Sequence, residues 1–487
     1  MKKRVYIIGS GFSSLAASCY LAQSGYDVTV FEKNAHIGGR ARQLIRDGFT
    51  FDMGPTWYWM PDVFERFFAD FGKKPSDYYS LTKLNPAYSV YFDSDTRVAI
   101  PDNPDEIASV FEKIEAGSGA KLDKFLTKAK THYDIAIGDL VYKPGESVFE
   151  LVSTQTVPRL GQFFGNIRND IKSRFKSQKL KSILEFPVLF LGAKPQDTPS
   201  FYNFMNHADF GLGTWHPKGG MASVVQGMET LSRELGVNYV TNANVGEIHC
   251  SDGKVEGLTI NGRLENCDIV LSGADYHHTE TLLPKKMRAF SPKYWEKRVF
   301  APSALLFYVG FGKKLKNVDH HTLFFDTSFD DHAFNIYDVP SWPANPLFYA
   351  SFPSLTDATF APDGCEAATF LIPIAPDLKD DDATRELYFD KVLLRLEKLT
   401  RQSLRSAILF RESYCVSDFK KDYNSYKGNA YGLANTLLQT AFLRPPLRSR
   451  KVKNLFFSGQ LTVPGPGVPP ALISGKLAAD LIHKHNP

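Results

Sequence analysis

The first apolar run changes period within a few residues. Val5-Tyr6-Ile7-Ile8 is short and continuous, as a buried strand is, and Leu15 to Ala22 then follows helical spacing up to Gly25. Asp27 to Phe31 alternates as a second strand, with Glu32 and Lys33 at its C-terminal end. Between strand and helix stand Gly9-Ser10-Gly11-Phe12-Ser13-Ser14. Strand, glycine turn, helix, strand and acid in this order predict a dinucleotide-binding unit. Gly9 allows the tight turn, and Gly11 lets a pyrophosphate reach the backbone. The helix start at Phe12, Ser13 and Ser14 offers free N–H groups, and Glu32 can accept ribose hydroxyls. Ser14 occupies the position of a third glycine, so helix and strand are expected to pack slightly further apart.

Gly38-Gly39-Arg40 narrows the dinucleotide to a flavin: the glycine pair turns the chain back over the pyrophosphate, and Arg40 adds a bidentate donor. Asp52 to Thr56 is a further tight turn, with Gly54, Pro55 and Thr56 beside the cofactor ring. Tyr88 to Phe92 and Arg97 to Ile100 predict a hairpin, and Pro104 to about Tyr142 a helical stretch. His216 to Met221 reopens the cofactor domain, followed by a helix from Ala222 to Leu235. Asp252-Gly253 and Asn261-Gly262 mark a β-meander from Val245 to Ile269, and a buried strand runs on to Asp275. Ala304 to Gly310, Leu347 to Phe352 and Ala367 to Ile374 read as strands of a mixed sheet, and Arg385 to Leu404 as an amphipathic helix. Near the end, a strand to Ser458-Gly459 passes through Gln460 and a glycine–proline loop to Gly467-Val468-Pro469. The helix after it can point its N-terminus at a flavin.

Composition adds limits. The 57 basic and 53 acidic residues leave a formal charge of +4, which with no aromatic–arginine alternation argues against nucleic acid. The five cysteines lack metal-ligand spacing, so no metal site is implied and a reducing cytoplasm is expected. Two uncharged stretches imitate membrane spans, residues 5–26 and 454–475, but glycines, serines and prolines interrupt them; no transmembrane helix and no export signal are expected. From Arg159 to Lys181 seven basic residues face one acid, with apolar residues at near-helical spacing, a candidate for docking on an anionic membrane face.

Gly9-Ser-Gly11, Glu32, Gly38-Gly39-Arg40, Trp215 to Met221 and the run Thr462 to Gly475 together resemble the bacterial-type carotenoid desaturases, departing at Ser14, Gln460 and Pro466. The resemblance implies an α/β fold: a doubly wound, Rossmann-like FAD-binding domain with a β-meander insertion, a mixed-sheet substrate domain and a helical membrane-facing region. The expected division is FAD domain at 1–80, 215–280 and 451–487, and substrate domain at 81–214 and 281–450, the membrane-facing part at about 135–195. Val245 and Asp275 join the expected cofactor contacts by the same resemblance.

The implied reaction is FAD-dependent desaturation of a C40 polyene, with a hydride passing to flavin N5 and a proton leaving the neighbouring carbon. His207, Asp209 and His216 are candidates to accept that proton. The favoured substrate is a 1-hydroxycarotenoid taken at its 3,4 bond. Phytoene desaturation, polyene isomerisation, an amine oxidase-like activity and a flavin-bearing lipid carrier are the alternatives. A membrane-borne substrate favours peripheral docking on the inner face of the cell membrane, with quinone or oxygen taking the electrons.

Overall fold

Alternation within short buried strands divides the cofactor half into two layers. In the computed structural model, which describes residues 2–147, 150, 165–189 and 192–486, five strands form a parallel sheet. They are β1 (Arg4–Ile8), β2 (Asp27–Phe31), β3 (Asn238–Val240), β4 (Ile269–Ser272) and β5 (Leu455–Phe457), in the order β5-β4-β1-β2-β3. Val5 and Ile7 of β1 and Leu271 of β4 pack into a core with three helices, α1 (Phe12–Gln23), α2 (Met221–Glu234) and α3 (Val468–His485). Ile8, Val270 and Phe457 point the other way, into a second core with Val245, Ile248 and Leu258 of the meander. A parallel sheet covered on both faces needs apolar residues on both, which is why these strands show little polar alternation. The first and last segments meet here, because β5 pairs with β4 in the register Leu271 to Phe456.

The second sheet has seven strands, in the order Ile408–Tyr414, Ser303–Phe311, Glu366–Ile374, Phe348–Ser351, His321–Phe324, Tyr88–Tyr91 and Arg97–Ile100. Neighbours are antiparallel except His321–Phe324 beside Tyr88–Tyr91. Leu305, Phe307 and Val309 face the helix Asp382–Thr400, and Ala304, Leu306 and Leu371 face inward to a cavity. The helical residues Ala136, Ile137, Phe186, Leu189, Phe204 and Met205 close its other side.

Two helical expectations meet the structure differently. The helical stretch Pro104 to Tyr142 is built in pieces: Gly117, at φ +78°, separates Pro104–Ile114 from Ser118–Gly138, and a short 3-10 turn follows. The basic stretch is not one helix. Arg159, Leu160, Phe163 and Phe164 lie outside the described residues, and the rest forms Ile167–Arg174 and Gln178–Leu189. Arg168 turns inward, forking onto Glu185 with two bonds of 3.1 Å and reaching Asp330 at 2.6 Å, so one cation assigned to docking is an internal tie. The fold is that of an α/β oxidoreductase, and no described helix is long and apolar enough to cross a membrane.

Candidate functional site

A cavity of about 620 Å³ lies between the two sheets. One end is walled by the predicted turns: Gly9, Gly11, Phe12, Ser13, Glu32, Lys33, Gly38, Gly39, Arg40, Gly54, Pro55, Thr56, Val245, Asp275, Gly459, Gln460, Gly467, Val468 and Pro469 all line it. Ser14 does not. It is fully buried behind the turn, where Gly273 faces it: a Cβ on Gly273 would fall 2.0 Å from the Ser14 hydroxyl. The space for the larger residue therefore comes from a glycine just beyond the end of β4. The Ser14 hydroxyl has no hydrogen-bond partner among the described residues. Ser14→Ala should keep flavin binding and raise stability by about 1 kcal/mol, because an unpaired buried hydroxyl costs more than it returns. A lower denaturant midpoint would contradict this.

The turn is shaped for an anion. Gly11 precedes α1 without a side-chain cap, and a Cβ there would meet nothing within 4 Å. Glu32 is buried, accepting from Ser10 N–H (3.1 Å), Ser10 Oγ (2.7 Å) and Asn34 N–H (2.8 Å), so its carboxylate is held rigidly at the cavity edge. Gly38 ties the second turn to the first through its N–H and Ser10 O (3.0 Å). Gly54 lets that turn close, since a Cβ there would lie 2.1 Å from Arg40 O. The Arg40 Nε is buried without a partner among the described residues, and its guanidinium lies 5.2 Å from the Tyr423 ring centre. Burial pulls its pKa down, an effect an anionic ligand would offset. Asp275 caps the helix Tyr276–Thr281, accepting from His278 N–H (3.1 Å) and Tyr426 N–H (3.2 Å). Lys33 donates to Lys421 O (2.8 Å).

The C-terminal motif locks itself. Ser474 Oγ accepts from Gly459 N–H (2.9 Å) and contacts Thr462 Oγ1 (2.9 Å), which donates to Gly459 O (2.7 Å). Ser458 Oγ donates to Ser13 Oγ (3.1 Å), joining the two ends of the chain. At the start of α3, Pro469 and Pro470 carry no N–H, so Val468 is the amide donor of the first turn. Gln460 Nε2 donates to Asn429 Oδ1 (3.2 Å).

Arg444 was not visible as a site residue in the sequence, where nothing near it forms a motif. Its buried guanidinium donates to the carbonyls of Thr462, Gln439, Leu433 and Gln460 and to Asn435 Oδ1, at 2.7–3.2 Å, with no carboxylate among these partners. Burial lowers its pKa to about 10. It holds the glycine–proline loop to the segment before it. Arg444→Met should cost about 3–5 kcal/mol, because several buried carbonyls lose their donor, and flavin should leach on gel filtration. Full retention of flavin would reject that role.

The far end of the cavity is apolar. Trp57, Phe186, Phe204, Phe325, Ile336, Phe348 and Leu371 form much of its wall, broken by Tyr202, His332, Tyr337, Tyr349 and Tyr431. Trp57 and Trp59, directly after the Gly54-Pro55-Thr56 turn, were a readable signal for an aromatic wall; the strand and helix residues were not.

None of the three candidate proton acceptors lines this cavity. His207 begins a π-helical segment, His207–Gly211, its ring 5.2 Å from Tyr133. Asp209 is buried and accepts from the Tyr88 hydroxyl (2.8 Å); burial drives its pKa well above the carboxylate range. His216 is buried against Asp357, Nε2 to Oδ2 3.2 Å, and borders a separate small cavity. The strand pairing of Trp215–Pro217 with Leu81–Lys83 sets His216 there.

The chain matches the flavin containing amine oxidoreductase family over residues 12–483. It is 42% identical over 485 residues to a carotenoid 3,4-desaturase of Haloarcula japonica, covering 98% of this chain and 97% of the relative. It is 32% identical over 487 residues to a zeta-carotene-forming phytoene desaturase of Myxococcus xanthus, covering 98% and 93%. Its fold is similar to that of an oxidoreductase from Methanosarcina mazei, with a TM-score of 0.62 at 17% identity over 97% and 99% of the two chains. The anion-shaped turns, the unpaired Arg40 Nε and the rigid Glu32 fit FAD. The chain thus belongs, with the carotenoid desaturases, to the flavin containing amine oxidoreductase family and is an FAD-dependent oxidoreductase.

Proposed function

We propose that this enzyme desaturates a long polyene, and that its substrate is a 1-hydroxycarotenoid oxidised at the 3,4 bond. The observation that carries the reading is the single cavity whose cofactor-binding turns continue into an aromatic and aliphatic wall. Such a wall fits an uncharged hydrocarbon and excludes water from it. The likeness to the Haloarcula japonica carotenoid 3,4-desaturase favours the 3,4 bond as the place of oxidation. FAD, when bound, supplies the hydride acceptor for the reaction.

The chain's own work is positional. In this reading Glu32 holds the ribose, Arg40 and the first turn of α1 hold the phosphates, and Val468 N–H faces the flavin. Trp57 and its neighbours hold the polyene in line, so the C–H to be broken stays within reach of the ring. The test is anaerobic: the yellow protein is mixed with phytoene, lycopene or a 1-hydroxycarotene, and the pigments are separated by chromatography. Loss of two hydrogens from the hydroxylated substrate, with bleaching of the flavin, is expected. Conversion of phytoene alone would replace this substrate, and altered geometry at constant mass would mean isomerisation. Added quinone or oxygen should then restore the yellow colour, and the faster of the two identifies the acceptor.

The same reading has the protein dock peripherally on the inner face of the cell membrane, where its substrate dissolves. Exposed Leu438 and Leu443 flank Thr440 and Ala441 of the cavity wall, and exposed Phe334 and Val339 flank Ile336 and Tyr337. These support an apolar rim beside the substrate end. Lys172 and Lys176 are exposed cations on the described part of the basic stretch. Neutralising Lys172, Arg174, Lys176 and Lys179 should lower co-sedimentation with anionic liposomes; unchanged binding would reject docking through this stretch.

A further inference from the structure

We propose that Tyr349 and His321 take up the proton released in desaturation and pass it towards His216 and Asp357. The inference rests on the desaturase reading above. Tyr349, on the strand Phe348–Ser351, lines the cavity. Its hydroxyl lies 2.8 Å from Thr56 Oγ1, in the turn that walls the cofactor end, and 2.6 Å from His321 Nδ1. His321 is fully buried, and its ring stacks on Trp57 at 4.0 Å and 11°, which fixes the imidazole plane. Its Nε2 has no partner among the described residues.

Behind it the rings continue. His320 lies 4.5 Å from His321 and His216 lies 4.6 Å from His320, centre to centre, and His216 Nε2 meets Asp357 Oδ2 at 3.2 Å. A second cavity of about 10 Å³, bordered by His216, His320, Asp52, Thr56 and Ser351, has room for about one water. A polar chain thus runs from the cavity wall to a buried carboxylate.

The step balances. FAD, when bound, would supply the acceptor for one substrate hydrogen and its electron pair. The neighbouring C–H gives its electron pair to the new C=C bond and its proton to Tyr349 Oη, as the hydroxyl proton moves to His321 Nδ1. The remaining positive charge sits on the histidines and is opposed by Asp357.

The titratable groups facing His321 are Tyr349, His320, His216 with Asp357, Asp52 beside the small cavity, and Tyr88 with Asp209 behind Trp57. Burial holds the three histidines below their ordinary value, so they are neutral and able to accept at neutral pH. Burial would raise Asp357, but hydrogen bonds from Gly219 N–H and Thr359 bring it to about 2, so it is charged.

Tyr349→Phe and His321→Gln holoenzymes should fold and carry the wild-type amount of FAD, melting a few degrees below the wild type because a buried hydrogen bond is lost. Their anaerobic single-turnover bleaching by the polyene should be about 100-fold slower. With deuterium on the proton-losing carbon, the isotope effect should rise in both variants, because proton removal becomes limiting. In ¹⁵N-histidine spectra of the resting protein, His321 should be neutral at pH 7, and its Nδ1 signal should move in Tyr349→Phe. Wild-type rates in the variants, or slow rates with an unchanged isotope effect, would overturn the relay. So would a charged His321 at pH 7. If the wild type is not bleached by any polyene, the desaturase reading fails instead, and the histidine spectra still report on the Tyr349–His321 pair.

Discussion

Gly11→Val should fold and emerge colourless. Gly11 has φ −71° and ψ 174°, an extended conformation any residue can take, and a Cβ there meets no atom within 4 Å. The protein therefore has no steric objection to a side chain. The space its two methyl groups would fill belongs to the cavity, in front of the uncapped first turn of α1. If the pyrophosphate comes there, FAD affinity should drop at least about 100-fold, or roughly 3 kcal/mol. The measurements are the flavin absorbance per mole of purified protein and the melting temperature. Colour lost with melting unchanged is expected apart from the stabilisation that bound FAD gave the parent. A fully yellow variant would put the phosphates elsewhere.

Gly475→Val should fail differently. Gly475 is in α3, where the helix crosses α1, and a Cβ on it would lie 2.3 Å from Ser13 O and 2.9 Å from Ala17 N. Both are backbone atoms of α1 and cannot rotate away, so the two helices must separate. Overpacking of this kind costs about 3 kcal/mol or more. It also moves the start of α1 and loosens Ser474, which anchors Gly459. Loss of stability and of flavin together is expected, in urea denaturation and in absorbance, with no recovery on adding FAD. Binding of added FAD at wild-type affinity would show that the crossing does not position the turn.

These two glycines show what could and could not be read from one dimension. Gly11 belonged to a pattern whose physics is local: strand, turn, helix and acid lie within thirty residues, and each feature needs only its neighbours. Gly475 ended the most specific motif in the chain, yet its reason, contact with Ser13, lies across almost the whole sequence. Ser14 taught the same lesson, since the room it needs is made by Gly273. Arg168 read as one cation in a basic stretch, and its partners Glu185 and Asp330 are unrelated to it by any local period.

By itself the sequence determined the flavin-binding frame, because the turns that face phosphate carry their conformational requirement in the residue type: glycines for close approach, a helix start, an acid at a strand end. It also determined which strands are buried, since their apolar content demands cover on both faces. Only the tertiary structure decided which polar side chains line the cavity. His207, Asp209 and His216 stand near one another in sequence but off the cavity, whereas Tyr349 meets Thr56 at its wall and His321 bonds Tyr349 from behind. That placement follows from the register of paired strands, His321 opposite Ser351, and a shift of one residue would turn each side chain to the other face.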